Sequence, residues 1–480
     1  MRIALEEILS KKLPSISCAA SKIYPFYCQK ERPEQVKCDE AKSDYINVPL
    51  DVIIACENHV IALESVTNDD LFENLDFSLR PMVDKEIEHE EDFRMSFICF
   101  TKYVSNSVLK ENVRCKDHGL LSRDRNEVIL VHIFENEADY AGNLIISRLT
   151  NTVSTSDVYP NNYKIGKTLQ LECLQNLRLE GVRPIAVSAV CFSFDKDNSK
   201  DIRLKLVLVS CVSRNDTRVR CFVSVISFDD SDTNNGLCEV GANQISQNDF
   251  KIDGTSLMDE LAKLSSPVLS INLCIDQSKP DYGYLSIGNQ EGQVLSFHIC
   301  VEYNTSESLV TLQVLHSSVV FMDGPSLSLS VLPYTIHQPQ TKVLNLTVGN
   351  MFGYAAFLRH TKVNKSEPSL IMQSKDYTNA SDGIFAVDQC LTGDGHFIAI
   401  GTYTGRVLMY SVKVIDKDGT SSFQFIELWS RMLLQPIHAV YISSSTQIVV
   451  LTRLSVHVFR NEVKRKAKKA KETFMKLIST

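Results

Sequence analysis

Six cations fall within eight residues near the C-terminus: Lys464, Arg465, Lys466, Lys468, Lys469 and Lys471. Val463, Ala467, Ala470, Phe474 and Leu477 lie among and after them at helical spacing, so residues 461–480 read as a basic amphipathic helix. Three uses are open to such a helix. It can pack its apolar stripe on the rest of the fold, meet an acidic partner or an anionic membrane surface, or act as a nuclear-import signal.

The other residues with chemical potential are less concentrated. Glu86, Glu88, Glu90, Glu91 and Asp92 end an acidic stretch over 67–92. It reads as a solvated loop that repels itself, because a metal site needs carboxylates spaced to converge. Asp388 and Asp394 could belong to a calcium loop, but a good loop places carboxylates at every second position, and a plain turn is the better reading. The eleven histidines contain no i, i+4 pair on a helix, and His457, inside an apolar strand, reads as structural. Fourteen cysteines occur without a CxxC pair, which argues against a zinc module or a disulfide scaffold and for reduced thiols in a cytoplasmic protein. There is no P-loop, dinucleotide fingerprint, HExxH or G-x-S-x-G. No catalytic, metal-binding or cofactor-binding residue is therefore assigned.

The elements that must carry these residues are strands. FIAIGTYTGRVLMYSV at 397–412 reads against YLSIGNQEGQVLSFHI at 284–299 and KVLNLTVGNMFGYAAFL at 342–358. Each copy is an apolar strand ending in glycine (Gly288, Gly349, Gly401), three residues, a second glycine (Gly292, Gly353, Gly405) and another apolar strand. Tight hairpin connections often need positive φ, which suits both glycines. The first glycines recur 61 and then 52 residues apart, enough for one four-stranded blade with its loops. The expected fold is all-β: a β-propeller of seven blades of antiparallel strands. The aromatic residues of the repeats follow the strand spacing, so core packing is their expected role.

Along the chain, residues 1–20 (MRIALEEILSKKL onward) suggest a short N-terminal helix, 21–460 the propeller and 461–480 the C-terminal helix. Residues 48–65 suggest a first hairpin, and 93–103, 127–134, 144–149, 169–179, 187–194, 204–210 and 220–228 further strands. Residues 229–253, rich in Asp, Asn, Gln, Gly and Ser, read as an exposed loop, and SLMDELAKL at 256–264 as a short helix. QIVVLTRLSVHVFR at 447–460 is a degenerate last hairpin lacking both glycines. With 44% apolar and 22% charged residues the composition is that of a globular protein, and a net charge of −8 argues against a general nucleic-acid surface. No apolar run approaches the roughly 20 residues needed to span a bilayer, so membrane association is expected to be peripheral at most.

From 256 onward the order of features resembles the kaptin family, the propeller subunits of the KICSTOR complex. The features are the helix running into a Ser-Ser-x-Val-Leu strand (SLMDELAKLSSPVL), the turn Asp323-Gly324-Pro325, and the hairpin GTYTGRVLMY ending at Tyr410. Leu428-Trp429-Ser430-Arg431, which holds the chain's one tryptophan, and the final strand Val456-His457-Val458-Phe459 complete the order. The sequence departs from the family at Ser443-Ser444-Ser445-Thr446, where an Asp-Gly turn is expected. The resemblance implies a non-catalytic scaffold paired with a second propeller protein bearing integrin-α FG-GAP-like repeats and with a large lysosomal scaffold. Such a complex holds a GTPase-activating complex at the lysosome and restrains TOR signalling when amino acids are scarce. It implies a cytoplasmic protein recruited to the lysosomal membrane. The alternative implied by the same family is association with actin filaments at dynamic cell edges. A propeller enzyme, with its active site assembled from the loops of several blades, is the third reading.

Overall fold

The computed structural model describes residues 6–12, 22–25, 51–55, 59–65, 93–99, 113–124, 127–136, 141–154, 166–194, 202–213, 217–227, 236–240, 245–247, 250–276, 279–304, 306–337, 340–361, 368–417, 420–444 and 447–460. Seven sheets follow one another among them. Blade 1 is Lys22–Pro25, Asp51–Ala55, His59–Ser65 and Phe93–Cys99; blade 2 is Val113–Asp124, Glu127–Asn136, Ala141–Ser154 and Gly166–Leu179. Blade 3 is Arg183–Phe194, Ile202–Val212, Thr217–Ser227 and the two-residue Cys238–Glu239. Blade 4 is Val268–Asp276, Lys279–Asn289, Gln293–Asn304 and Leu309–Phe321; blade 5 is Ser326–His337, Gln340–Asn350, Tyr354–Thr361 and Ser369–Gln373. Blade 6 is Ile384–Thr392, Gly395–Thr402, Arg406–Lys417 and Thr420–Met432.

Blade 7 takes three strands from the C-terminal end, Ile437–Ser444, Gln447–Thr452 and Ser455–Arg460, and its outer strand, Glu6–Lys12, from the N-terminal end. Each inner strand packs on the inner strands of both neighbouring blades, and Lys22–Pro25 touches those of blades 2 and 7, so the ring closes. The protein is a seven-bladed β-propeller, as the repeat spacing predicts. The helix expected over 1–20 is corrected: Glu6–Lys12 is a strand antiparallel to Ser455–Arg460, with one bulge between Glu7 and Leu9. Isolated helices of a dozen residues are marginal in water, and the edge of the last blade offers this segment a complete ladder of backbone partners instead. The helix expected over 461–480 lies outside the described residues.

The glycine repeat has two physical reasons rather than one. Gly292, Gly353 and Gly405 have φ of 83°, 81° and 96°, as the turn requires. Gly288, Gly349 and Gly401 do not. A Cβ on Gly349 would lie 2.5 Å from the Ile384 side chain, and one on Gly401 would lie 2.4 Å from Ile437, so these glycines let the next blade's inner strand come close. The residue after each completes the turn. Asn289 Oδ1 accepts the N–H groups of Glu291 and Gln293, and Asn350 Oδ1 those of Phe352 and Tyr354. Thr402 and Thr452 hold the same place in blades 6 and 7, where their hydroxyls accept from Arg406 N–H and Ser455 N–H. The last hairpin thus keeps the turn cap while losing both glycines.

Ile287 and Ile400 are buried, and so are their strand neighbours Ser286, Gly288, Ala399 and Gly401, because these second strands are covered on both faces. The helix Thr255–Ala262 buries Leu257 and Leu261 against blades 3 and 4, beside the place where blade 3 has only a two-residue outer strand. The exposed loop expected over 229–253 is corrected in part. It supplies that outer strand and the hairpin Ile245–Gln247/Phe250–Asp253, which extends blade 4 to six strands through a parallel pairing with Leu309–Phe321. The acidic stretch at 67–92 lies outside the described residues.

Candidate interaction face and central channel

In each blade the turn from second to third strand and the connection to the next blade lie at one end of the ring, here the upper face. The turns from first to second and from third to fourth strand lie at the lower face. Inner strands begin at the upper face, and six of them carry a register shift close to that start: at Cys115/Asp117, Pro184/Ala186, Val268/Ser270, Ser326/Ser328, Ile384/Ala386 and Ile437/Ala439. A bulge leaves one extra residue unpaired and re-aims its side chain. Here those residues are Lys116, Ile185, Leu269, Leu327, Phe385 and His438, and all six line the central channel, a cavity of about 890 Å³. Four of the six are large and apolar. Lys116 is paired with the buried Glu135 at 2.5 Å, and Arg183 of blade 3 reaches the same carboxylate at 3.1 Å. The channel mouth is thus an apolar collar repeated by the blade geometry.

Outside the collar, the upper face of blades 4–7 exposes further large apolar side chains. Phe321 is 70% exposed, Phe352 47%, Tyr403 58% and Leu434 82%. Several of them adjoin: Phe352 covers Gly324, the Phe385 ring and the Met351 backbone both lie beside Gly383, and the Phe385 and Tyr403 rings are 5.5 Å apart. Core packing, expected for the aromatics of the repeats, holds for those on strands, such as Phe297, Phe357, Phe397 and Tyr410, which are buried. It is corrected for Phe352 and Tyr403, which sit in the turns between the paired glycines. Their sequence signal was their position between the glycines rather than their residue type.

Below the mouth, the blades are linked by polar bridges. The Lys22 ammonium donates to Asp117 Oδ2 at 2.9 Å, His118 O at 2.8 Å and Val187 O at 3.0 Å, tying blade 1 to blades 2 and 3. Asp117 Oδ2 also accepts Val187 N–H at 2.8 Å. Ser188 Oγ accepts Leu273 N–H, Asn272 Nδ2 donates to Leu329 O, and Ser330 Oγ donates to Asp388 Oδ1. Asp388 Oδ2 in turn accepts Ile442 N–H at 2.8 Å. Asp388 therefore lies in an inner strand and bridges blades 5, 6 and 7, whereas Asp394 sits on the exposed turn at the lower face. They do not converge on an ion. Asp388 was missed as a bridge because its partners are 54 and 58 residues away in sequence.

Burial raises the Asp388 carboxyl to about 7, against the lowering effect of its hydrogen bonds from Ile442 N–H, its own neighbour's N–H and Ser330. The folded state then holds a proton that the unfolded chain releases near pH 4, so this group stabilises most at low pH. That contribution falls as pH rises from about 4 to about 7, by up to about 4 kcal/mol. Asp388→Asn should match the wild type near pH 4 and exceed its unfolding free energy increasingly up to pH 8, measured by urea titration. An unchanged difference between the two proteins from pH 4 to 8 would refute the raised titration of this carboxyl.

The closest approach to a ligand cluster in blade 2 is His118, His132 and Cys115. The two imidazoles share an Nδ1···Nδ1 hydrogen bond of 2.7 Å with rings at 83°, so they are aimed at each other, not at a common centre. Burial, and then the neighbouring His118, hold His132 well below its usual value. No group of three potential metal ligands occurs among the described residues. His457 pairs with Ser455 Oγ at 2.7 Å inside blade 7, in the structural role expected of it. Lys464, Arg465, Lys466, Lys468, Lys469 and Lys471 lie outside the described residues; the chain enters that stretch from Arg460, the lower-face end of a third strand.

No family model matches the chain, and no curated protein matches it. Among solved structures it is similar to Chaetomium thermophilum Raptor, with 13% identity and a TM-score of 0.41 over 96% of this chain; it spans 29% of the length of that chain. The Cps50 (Swd1) β-propeller domain of Myceliophteria thermophila shows 8% identity and a TM-score of 0.36, covering 85% of this chain and 92% of that one. The periplasmic gluconolactonase PpgL of Pseudomonas aeruginosa shows 12% identity and a TM-score of 0.38, covering 70% of this chain and 77% of that one. At these identities and scores the likenesses say nothing of function, and the assignment as a seven-bladed propeller stands on the chain's own sheets.

Proposed function

We propose that the protein is a non-catalytic propeller scaffold that docks protein partners on the upper face of blades 4–7. The observation that carries this reading is the run of exposed aromatic and aliphatic side chains beside the channel collar, Phe321, Phe352, Phe385, Tyr403 and Leu434. Soluble surfaces rarely gather such residues in one patch unless the patch is covered by something, and aromatic anchors dominate the energetics of protein interfaces. The resemblance to the kaptin family supports a finer reading: a subunit of a KICSTOR-type complex that acts in TOR signalling at the lysosome. The partners would be a second propeller protein with FG-GAP-like repeats and a large lysosomal scaffold. The run Lys464–Lys471 would add a salt-sensitive contact to an acidic partner or to the membrane surface; no helix among the described residues is long and apolar enough to cross a membrane.

The test is quantitative affinity purification of the full chain against the pair Phe352→Glu, Tyr403→Glu. Both side chains are about half exposed, so stability should stay within about 1 kcal/mol of wild type. Partner recovery should fall at least about tenfold, because truncating one interface anchor typically costs 2 kcal/mol or more. Recovery of an unchanged partner set would overturn the reading. Among the lost partners, a propeller protein with a lysosomal scaffold supports the finer reading, and actin alone supports filament association.

A further inference from the structure

Leu434 is 82% exposed and has φ of 58°, a conformation that side chains with a Cβ seldom adopt. The corresponding connection after blade 4, Met322-Asp323-Gly324-Pro325, places its positive φ of 99° on Gly324 instead. The loop is fixed from both sides. Leu433 N–H donates to Gly405 O at 2.8 Å, and Gln435 Oε1 accepts from Thr452 Oγ1 at 2.8 Å, so the turns of blades 6 and 7 both hold it. A Cβ on Gly405 would lie 2.5 Å from Gln435 O, so the loop packs directly on the glycine backbone. The chain thus spends backbone strain to present an apolar side chain to water, a pattern associated with ligand clamps and binding sites.

The surroundings of Leu434 differ in charge from the rest of the patch. Arg406 and Arg431 stand at the upper ends of the third and fourth strands of blade 6, and Arg453 in the upper turn of blade 7. Met432, Tyr403 and Leu454 supply exposed apolar surface among them. Glu291, Asp323 and Asp376 lie instead on the connections and turns of blades 4 and 5, beside Lys375, so those turns carry more acid than base. An apolar knob amid three arginines complements an apolar ridge flanked by carboxylates, and charge pairing at the rim of an interface sets partner and orientation. We propose that the blade 6–7 sector, centred on Leu434, docks an acidic amphipathic segment of a protein partner. This rests on the upper face being a docking surface, and it adds which sector takes which chemistry.

The experiment places a photo-cross-linking benzoylphenylalanine at position 434, and separately at position 352, in the full chain expressed in its own cells. Cross-linked peptides are sequenced by mass spectrometry. The expected result at 434 is a protein segment with apolar residues at helical spacing and a majority of Asp and Glu among its charges. Its yield should fall at least tenfold when Arg406→Glu and Arg431→Glu are added. Leu434→Gly, which relieves the positive φ, should raise thermal stability while lowering partner recovery. A basic or uncharged segment, a second copy of this chain, a lipid adduct or no adduct at 434 overturns the proposal. If position 352 still yields a protein adduct in that case, the docking reading of the face survives and only the sector assignment fails; if neither position does, both fail.

Discussion

Removing residues 1–12 is expected to open the ring. Glu6–Lys12 pairs with Ser455–Arg460 at six positions. With ladder hydrogen bonds worth about 1 kcal/mol each, the direct loss is about 6 kcal/mol, a large share of the roughly 5–15 kcal/mol that holds a typical domain folded. Blade 7 would then present Val456, Val458 and Phe459, all buried in the intact protein, beside an unpaired strand edge. The truncated chain should therefore aggregate or unfold at markedly lower temperature, and a synthetic peptide of residues 1–14 added in trans should restore part of the loss. A truncated chain that is monomeric and melts like the full one would show that closure does not depend on this strand.

The second large effect is expected at the bridge between blades 1, 2 and 3. Asp117→Ala leaves the Lys22 ammonium without its carboxylate and Val187 N–H without its acceptor, in a site where the Asp117 side chain is 15% exposed. Breaking a largely buried pair from one side costs about 3 kcal/mol or more. Lys22→Met removes the cation and keeps most of its volume, and because Lys22 is one-third exposed its cost should be smaller, about 2 kcal/mol. The double variant should be less destabilised than the sum of the two by at least about 1 kcal/mol, as expected for groups in direct contact. Strict additivity in urea titrations would mean that the bridge is not an energetic unit.

The sequence carried the blades well because their signals are local. A strand, a glycine pair with an Asn or Thr cap, and a second strand fit within about seventeen residues, and the apolar runs around Ile287 and Ile400 mark strands that the structure covers on both faces. What was not legible depends on partners far along the chain. Glu6–Lys12 reads as an amphipathic helix until its partner, Ser455–Arg460, is known to need an edge. Asp388 reads with Asp394 as part of a plain turn, and nothing singles out Asp117, until the ring brings Ile442 beside the one and Lys22 and Val187 beside the other. The collar of Ile185, Leu269, Leu327 and Phe385 is closed to pattern reading, since a bulge adds one residue without any marker in residue type, and all four look like normal core positions of their strands. Phe352 and Tyr403 were visible, but turn position outweighed aromatic character.

The docking face is tested most directly by amide hydrogen exchange, comparing the chain alone with the chain in the partner complex recovered from cells. The expected result is slowed exchange at 350–354, 402–406 and 432–436 on the upper face, with the lower-face turn at 392–395 and the strands of blade 2 unchanged. Slowing confined to the lower-face turn at 392–395, with the upper-face segments exchanging as in the free chain, would contradict it.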